Sequence, residues 1–124
     1  MNEKLLLVEE SPYLRGILKD ILQRRGYALT TVESLKETKA KLVESDASYD
    51  ALVLVTEKKP ELVEFVRKSR KFQFIPVIMI SGEKAYKNAA KELKTLFLRR
   101  PFGIYDFDTF IESARELVEE FEYT

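Results

Sequence analysis

Neither cysteine nor histidine occurs anywhere in the 124 residues. Their absence takes disulfides, thiolate nucleophiles, imidazole bases, histidine phosphotransfer and the usual zinc sites away from this chain, so most enzyme classes become harder to build. No charge of one sign predominates: Lys plus Arg and Asp plus Glu number 21 each. Without a global positive field, no nucleic-acid binding is expected of this domain. No apolar run approaches the roughly 20 residues that a membrane span needs. The start, Met1-Asn2-Glu3-Lys4, leads into an apolar run, Leu5 to Val8, that is too short and wrongly flanked for a secretory signal. The expectation is a soluble cytoplasmic protein with no membrane contact. Glycine is scarce, at four residues. The first turn, Glu9-Glu10-Ser11-Pro12, has none and places acids where a nucleotide phosphate would sit, which opposes a nucleotide-binding loop.

What is present is an alternation of two periodicities. At 45% apolar and 34% charged, residues 1–124 read as one globular domain with a single core. Leu5 to Val8 is a continuous apolar run of the kind buried on both faces of a parallel sheet. Ser11 and Pro12 then open a helix with Leu14, Ile17, Leu18, Ile21 and Leu22 at helical spacing, ending at Gly26. Tyr27 to Val32 is a second strand. Ser34 and Glu37 form a capping box for a helix using Leu35, Leu42 and Val43, followed by a loop from Glu44 to Ser48. Ala51 to Val55 is the third strand, Pro60 opens a helix using Leu62, Phe65 and Val66, and Ile75 to Ile80 is the fourth strand. Lys84 to Thr95 is predicted helical with Ala85, Ala89, Ala90 and Leu93 inward, and Leu96 to Leu98 is a short fifth strand. Asp106 caps a last helix with Phe107, Phe110, Ile111, Ala114, Leu117, Val118 and Phe121 inward. Five βα units argue for a doubly wound α/β domain whose site lies at the carboxyl ends of its strands.

Four strand ends carry a more specific pattern. They are Val8-Glu9-Glu10-Ser11, Val55-Thr56, Pro76-Val77-Ile78-Met79-Ile80-Ser81-Gly82 and Phe97-Leu98-Arg99-Arg100-Pro101-Phe102. Together, over residues 4 to 121, they resemble the response-regulator receiver (CheY-like) family. The resemblance implies a flavodoxin-like (βα)5 fold with a five-stranded parallel sheet in the order 2-1-3-4-5, in a two-component or phosphorelay setting. In that family paired acids hold Mg²⁺, an aspartate ending the third strand accepts phosphate, a lysine before a proline neutralises it, and a hydroxyl and an aromatic residue form the switch. Carried over by position, Glu9 and Glu10 match the acids, Ser81 the hydroxyl, Phe97 the aromatic, Arg100 the lysine and Val55 the acceptor. A valine cannot form an acyl phosphate. The resemblance therefore implies a pseudo-receiver that works through protein contacts and is not an enzyme, with Pro101 a candidate for the family's cis peptide.

Alternatives remain at this point. A non-standard phosphoacceptor site would use Glu9, Glu10, Thr56 or Glu57 with Mg²⁺. Mg²⁺ demands near-octahedral oxygen ligation and the third carboxylate is missing, so only weak binding by Glu9 and Glu10 is expected and no cofactor is assigned. Those acids are also placed to favour a helix start at Ser11 and to pair with Arg100, whose planar fork matches a carboxylate. Charge along the second half is segregated, with basic Lys84, Lys87, Lys91, Lys94, Arg99 and Arg100 in one stretch and acidic Glu112 and Glu116 among seven acids in the next. These elements flank the fifth strand. They read either as two solvated helix faces or as an interaction surface, made of the fourth helix, fifth strand and fifth helix, for a protein partner or a homodimer.

Overall fold

The computed structural model describes residues 3–55, 61–81, 87–99 and 107–122. Five strands, β1 Lys4–Glu9, β2 Ala28–Val32, β3 Ala51–Val55, β4 Val77–Ser81 and β5 Leu96–Arg99, form one sheet in the order β2-β1-β3-β4-β5. Every pairing is parallel. β3 and β4 are buried at every position, which is why their sequences are continuous apolar runs rather than alternating ones.

Side chains alternate between the two faces of a strand, and the core divides accordingly. On one face Leu6, Val8, Leu52, Leu54, Val77 and Met79 pack with residues of the second, third and fourth helices. On the other, Leu5, Leu7, Val53, Val55, Ile78 and Ile80 pack with residues of the first and fifth. Helices on both faces of a parallel sheet make the doubly wound (βα)5 architecture that the alternation implied.

The helices are α1 Pro12–Arg24, α2 Leu35–Leu42, α3 Glu61–Lys68, α4 Lys87–Glu92 and α5 Phe107–Glu122. Local chemistry starts the first two where expected. Ser11 Oγ accepts the Leu14 amide, Ser34 Oγ accepts the Glu37 amide, and Glu37 Oε2 accepts the Glu33 amide. α1 ends before Gly26, whose φ of 95° suits the residue that needs no Cβ.

Five expectations change. Only Leu22 of α1 is fully buried; Leu14 and Ile17, expected inward, are each 39% exposed beside Tyr13 at 76%. Val43, expected as an inward residue of α2, is instead its C-cap and is 71% exposed. β4 begins at Val77 rather than Ile75, and β2 at Ala28 rather than Tyr27. α4 closes at Glu92, three residues short of Thr95, because Lys94 turns to φ 52°. Ala85 and the caps assigned to Pro60 and Asp106 lie outside the described residues.

Candidate functional site

Parallel pairing brings the strand ends together by register. Glu9 stands opposite Val55 across β1 and β3, and Val55 stands opposite Ile80 across β3 and β4. Ser81 is the next residue of β4. Val55 is only 4% exposed and belongs to the apolar cluster that also holds Val53, Ile78 and Ile80. At the position matching the family's acceptor, the chain thus has one more core side chain and no nucleophile. Asp50 offers no substitute: it precedes β3 at the opposite end of the strand, and its Oδ2 accepts the Lys4 amide at 2.7 Å.

The two acids at the end of β1 diverge. Glu9 is buried and Glu10 is exposed. Glu9 Oε1 accepts the Ser11 amide at 3.0 Å, so this carboxylate satisfies an amide at the amino end of α1, where the helix dipole favours negative charge. Arg15, which sequence reasoning passed over, reaches back across the same turn. Its Nη1 donates to the carbonyl of Glu9 at 2.8 Å and to that of Glu10 at 3.4 Å, while Nη2 lies 3.8 Å from Glu33. The only sequence signal for Arg15 is its place one turn after the N-cap. A hard divalent cation needs about six oxygens in near-octahedral array. One buried carboxylate already engaged by an amide, one exposed carboxylate and a valine do not fit that shell.

Ser81 is fully buried. By strand parity it lies on the face of Val77 and Met79, and Phe97 packs on that same face, partly buried. Met79 pairs with Phe97 and Ser81 with Arg99, so the hydroxyl and the aromatic occupy neighbouring strands on one side of the sheet, and Phe97 rests against the core. Arg100 and Pro101, with their pairing and cis-peptide expectations, lie outside the described residues, as do Thr56, Glu57 and Lys84.

The charged stretches flank β5. Leu93 of the α4–β5 turn joins Phe97 on one face of the sheet, and Ile111 and Ala114 of α5 join Leu96 and Leu98 on the other. Lys87 and Lys91 are exposed and Lys94 is half-buried; Glu112 and Glu116 are exposed. Glu112 is paired with Arg115 at 3.1 Å, and Arg115 also bonds Glu3. These partners raise the Arg115 guanidinium pKa above its ordinary value, the Glu3 hydrogen bond contributing most. The first turn of α5 is tied to the foot of the sheet: Tyr27 Oη donates to Asp108, which also lies 3.8 Å from Arg25.

A second arginine near this region makes four hydrogen bonds. Arg67 of α3 donates from Nε to the Leu93 carbonyl at 2.8 Å and from Nη2 to the Lys94 carbonyl at 3.1 Å. Its Nη1 donates to Gln73 at 3.1 Å and Ile75 at 2.7 Å. Burial pushes its pKa down to about 10. In the sequence it stands in Val66-Arg67-Lys68-Ser69-Arg70-Lys71, where nothing separates it from its solvent-facing neighbours.

No protein-family model matches the chain. It is 38% identical over 98 residues to chemotaxis protein CheY1 of Helicobacter pylori, in two strains, an alignment covering 73% of this chain and 77% of that protein. Among solved structures, a CheY-like receiver domain protein from Methanospirillum hungatei superposes with a TM-score of 0.78 at 19% identity, over 97% of this chain and 99% of that one. Chemotaxis response regulator CheY4 of Vibrio cholerae superposes at 0.70 with 22% identity, over 97% and 98%. At such identities these two likenesses speak to the fold alone.

Proposed function

The chain belongs to the CheY-like response-regulator receiver family, and from that premise we propose that it is a pseudo-receiver, a signalling domain that acts by protein contact independently of aspartyl phosphorylation. The observation that carries this reading is Val55, buried in the apolar cluster at the strand end beside Glu9 and Ile80. A hydrocarbon side chain has no electron pair to offer phosphorus, and filling the position with packing makes it part of the fold rather than of a pocket. On this reading the domain is not an enzyme, requires no metal, works in the cytoplasm and contacts neither nucleic acid nor membrane.

The test is intact-mass spectrometry after incubation with acetyl phosphate or phosphoramidate and Mg²⁺. No labile adduct of one phosphoryl group is expected. A phosphoryl adduct mapped to Thr56, as a stable ester, or to Glu57, as a labile acyl phosphate, would replace this reading with that of a non-standard acceptor.

The contact surface proposed is the edge formed by α4, β5 and α5. Exposed Lys87 and Lys91 on one helix and Glu112 and Glu116 on the other offer opposite charges on either side of an edge strand. In a two-fold pair each helix would meet its opposite in the second copy, since an isologous contact uses one patch twice. Sedimentation at low ionic strength should show a dimer that dissociates as salt rises, because rim ion pairs are screened over about 8–10 Å near physiological salt. Reversal of Lys91 and Lys94 to glutamate should abolish it, and reversal of Glu112 and Glu116 to lysine in the same chain should recover part. A monomer under all these conditions would give the face to a different protein partner.

A further inference from the structure

Among the described residues α4 spans six, and the carbonyls of its last turn need partners beyond the helix itself. The chain closes that turn by a left-handed residue. The Thr95 amide donates to the Ala90 carbonyl at 2.9 Å and the Lys94 amide to Lys91 at 3.2 Å, with Leu93 donating to Ala89 at 3.1 Å. This pattern normally takes glycine at the left-handed position. Here it is Lys94, at φ 52°, a conformation that a lysine adopts only when its surroundings hold it there.

Arg67 supplies that hold. Its fork seizes the carbonyls of Leu93 and Lys94, the two residues that make the turn, and anchors them to Gln73 and Ile75 on the way into β4. Four carbonyls converging on one planar guanidinium fix position and orientation together, which a lysine acting as a point charge cannot do. We propose that Arg67, although it sits on α3, is the positioning residue of the α4–β5 edge: it sets where the end of α4 lies and so where Lys91 and Lys94 present their charge. That the edge is an interaction face rests on the function proposed above; that Arg67 positions the turn does not.

Arg67→Lys separates the two claims, because it keeps the charge and the aliphatic stem and removes the fork. Amide hydrogen exchange of the full chain, read residue by residue, should accelerate at least tenfold at Leu93, Lys94 and Thr95 and stay within about twofold along β1 and β3. Adding Lys94→Gly, which adopts positive φ without strain, should restore most of the lost protection in the Arg67→Lys chain. Unchanged exchange at those three amides would overturn the proposal. So would acceleration spread evenly through the sheet, or failure of Lys94→Gly to rescue, since Arg67 would then be a general stabiliser and not a holder of this turn. For the face, low-salt association of Arg67→Lys should weaken about tenfold with Lys91 and Lys94 intact. Local acceleration together with unaltered association would overturn the link between the turn and the face. Local acceleration in a chain that never associates would support the positioning role and remove the homodimer.

Discussion

Two corners of this molecule differ in how they are filled. At the carboxyl ends of β1 and β3, Val55 packs into the apolar cluster and Glu9 accepts the Ser11 amide at the start of α1. Between α3 and α4 there is a half-buried cation with four carbonyl partners and no carboxylate among them. A fold tolerates both arrangements for the same reason. Polar groups must be satisfied wherever they are buried, and apolar groups fill positions that need no such partner.

The largest expected effect is at the polar corner. Arg67→Ala would strand four carbonyls that are now bonded to a charged donor, and denaturant unfolding should show a loss of about 3–5 kcal/mol. A loss below about 1 kcal/mol would mean that water replaces the guanidinium without difficulty, and the contrast between the corners would vanish.

Next is Val55→Asp, which forces a carboxylate back into the apolar corner and should destabilise by about 2–3 kcal/mol near neutral pH. Burial would raise its folded pKa above the unfolded value of about 4, so the folded state would hold the proton more tightly. The penalty should therefore be smallest below about pH 4 and grow as pH rises through the folded pKa. A variant whose penalty does not change with pH would show that the new side chain reaches solvent. By contrast Arg67 is charged on both sides of folding throughout this window, its folded pKa being about 10, so its contribution should be flat there.

A smaller effect, of opposite sign, is expected for Lys94→Gly. Relief of left-handed strain should exceed glycine's added entropy in the unfolded chain and raise stability by about 0.5–1 kcal/mol. Smallest of all should be Ile17→Ser on α1, at less than about 1 kcal/mol, against the 2–5 kcal/mol typical of a buried leucine such as Leu22 truncated to alanine. Thermal unfolding of the two α1 variants side by side ranks them, and equal losses would mean that the upper half of α1 is covered after all.

What could be read in the sequence was what is decided locally. β3 is bounded at Ala51 and Val55 as its apolar run implied, and Ser11 and Ser34 cap the helices they precede because capping involves three or four neighbouring residues. The burial of Val55 was legible for a similar reason, since it ends a run of apolar residues with none polar among them. The half-exposure of Leu14 and Ile17 was not legible, because periodicity gives the direction of an apolar stripe but not how much of it the neighbouring elements cover. Nor was Arg67, whose role depends on carbonyls 6 to 27 residues away in sequence. Arginine carries no mark of its own for the interior. The early end of α4 was hidden too, since the turn uses lysine where a glycine would have announced it.

The bond between Arg115 and Glu3 joins residues 112 positions apart, and it has a bearing on how the chain folds. Closing a loop of that length costs on the order of 4 kcal/mol in chain entropy before any contact repays it, so this junction forms late and slows the search, as non-local contacts generally do. β1 is nevertheless flanked by β2 and β3, both close in sequence, and these three strands can assemble while the last helix is still being synthesised. The ends of the chain are then sewn together at the foot of the sheet by α5, whose first turn also finds Arg25 and Tyr27 there. A ribosome-bound chain stopped before Phe107 should hold a nascent β2-β1-β3 sheet with the α5-covered part of one apolar face bare, and that interval is when this protein is most exposed to aggregation.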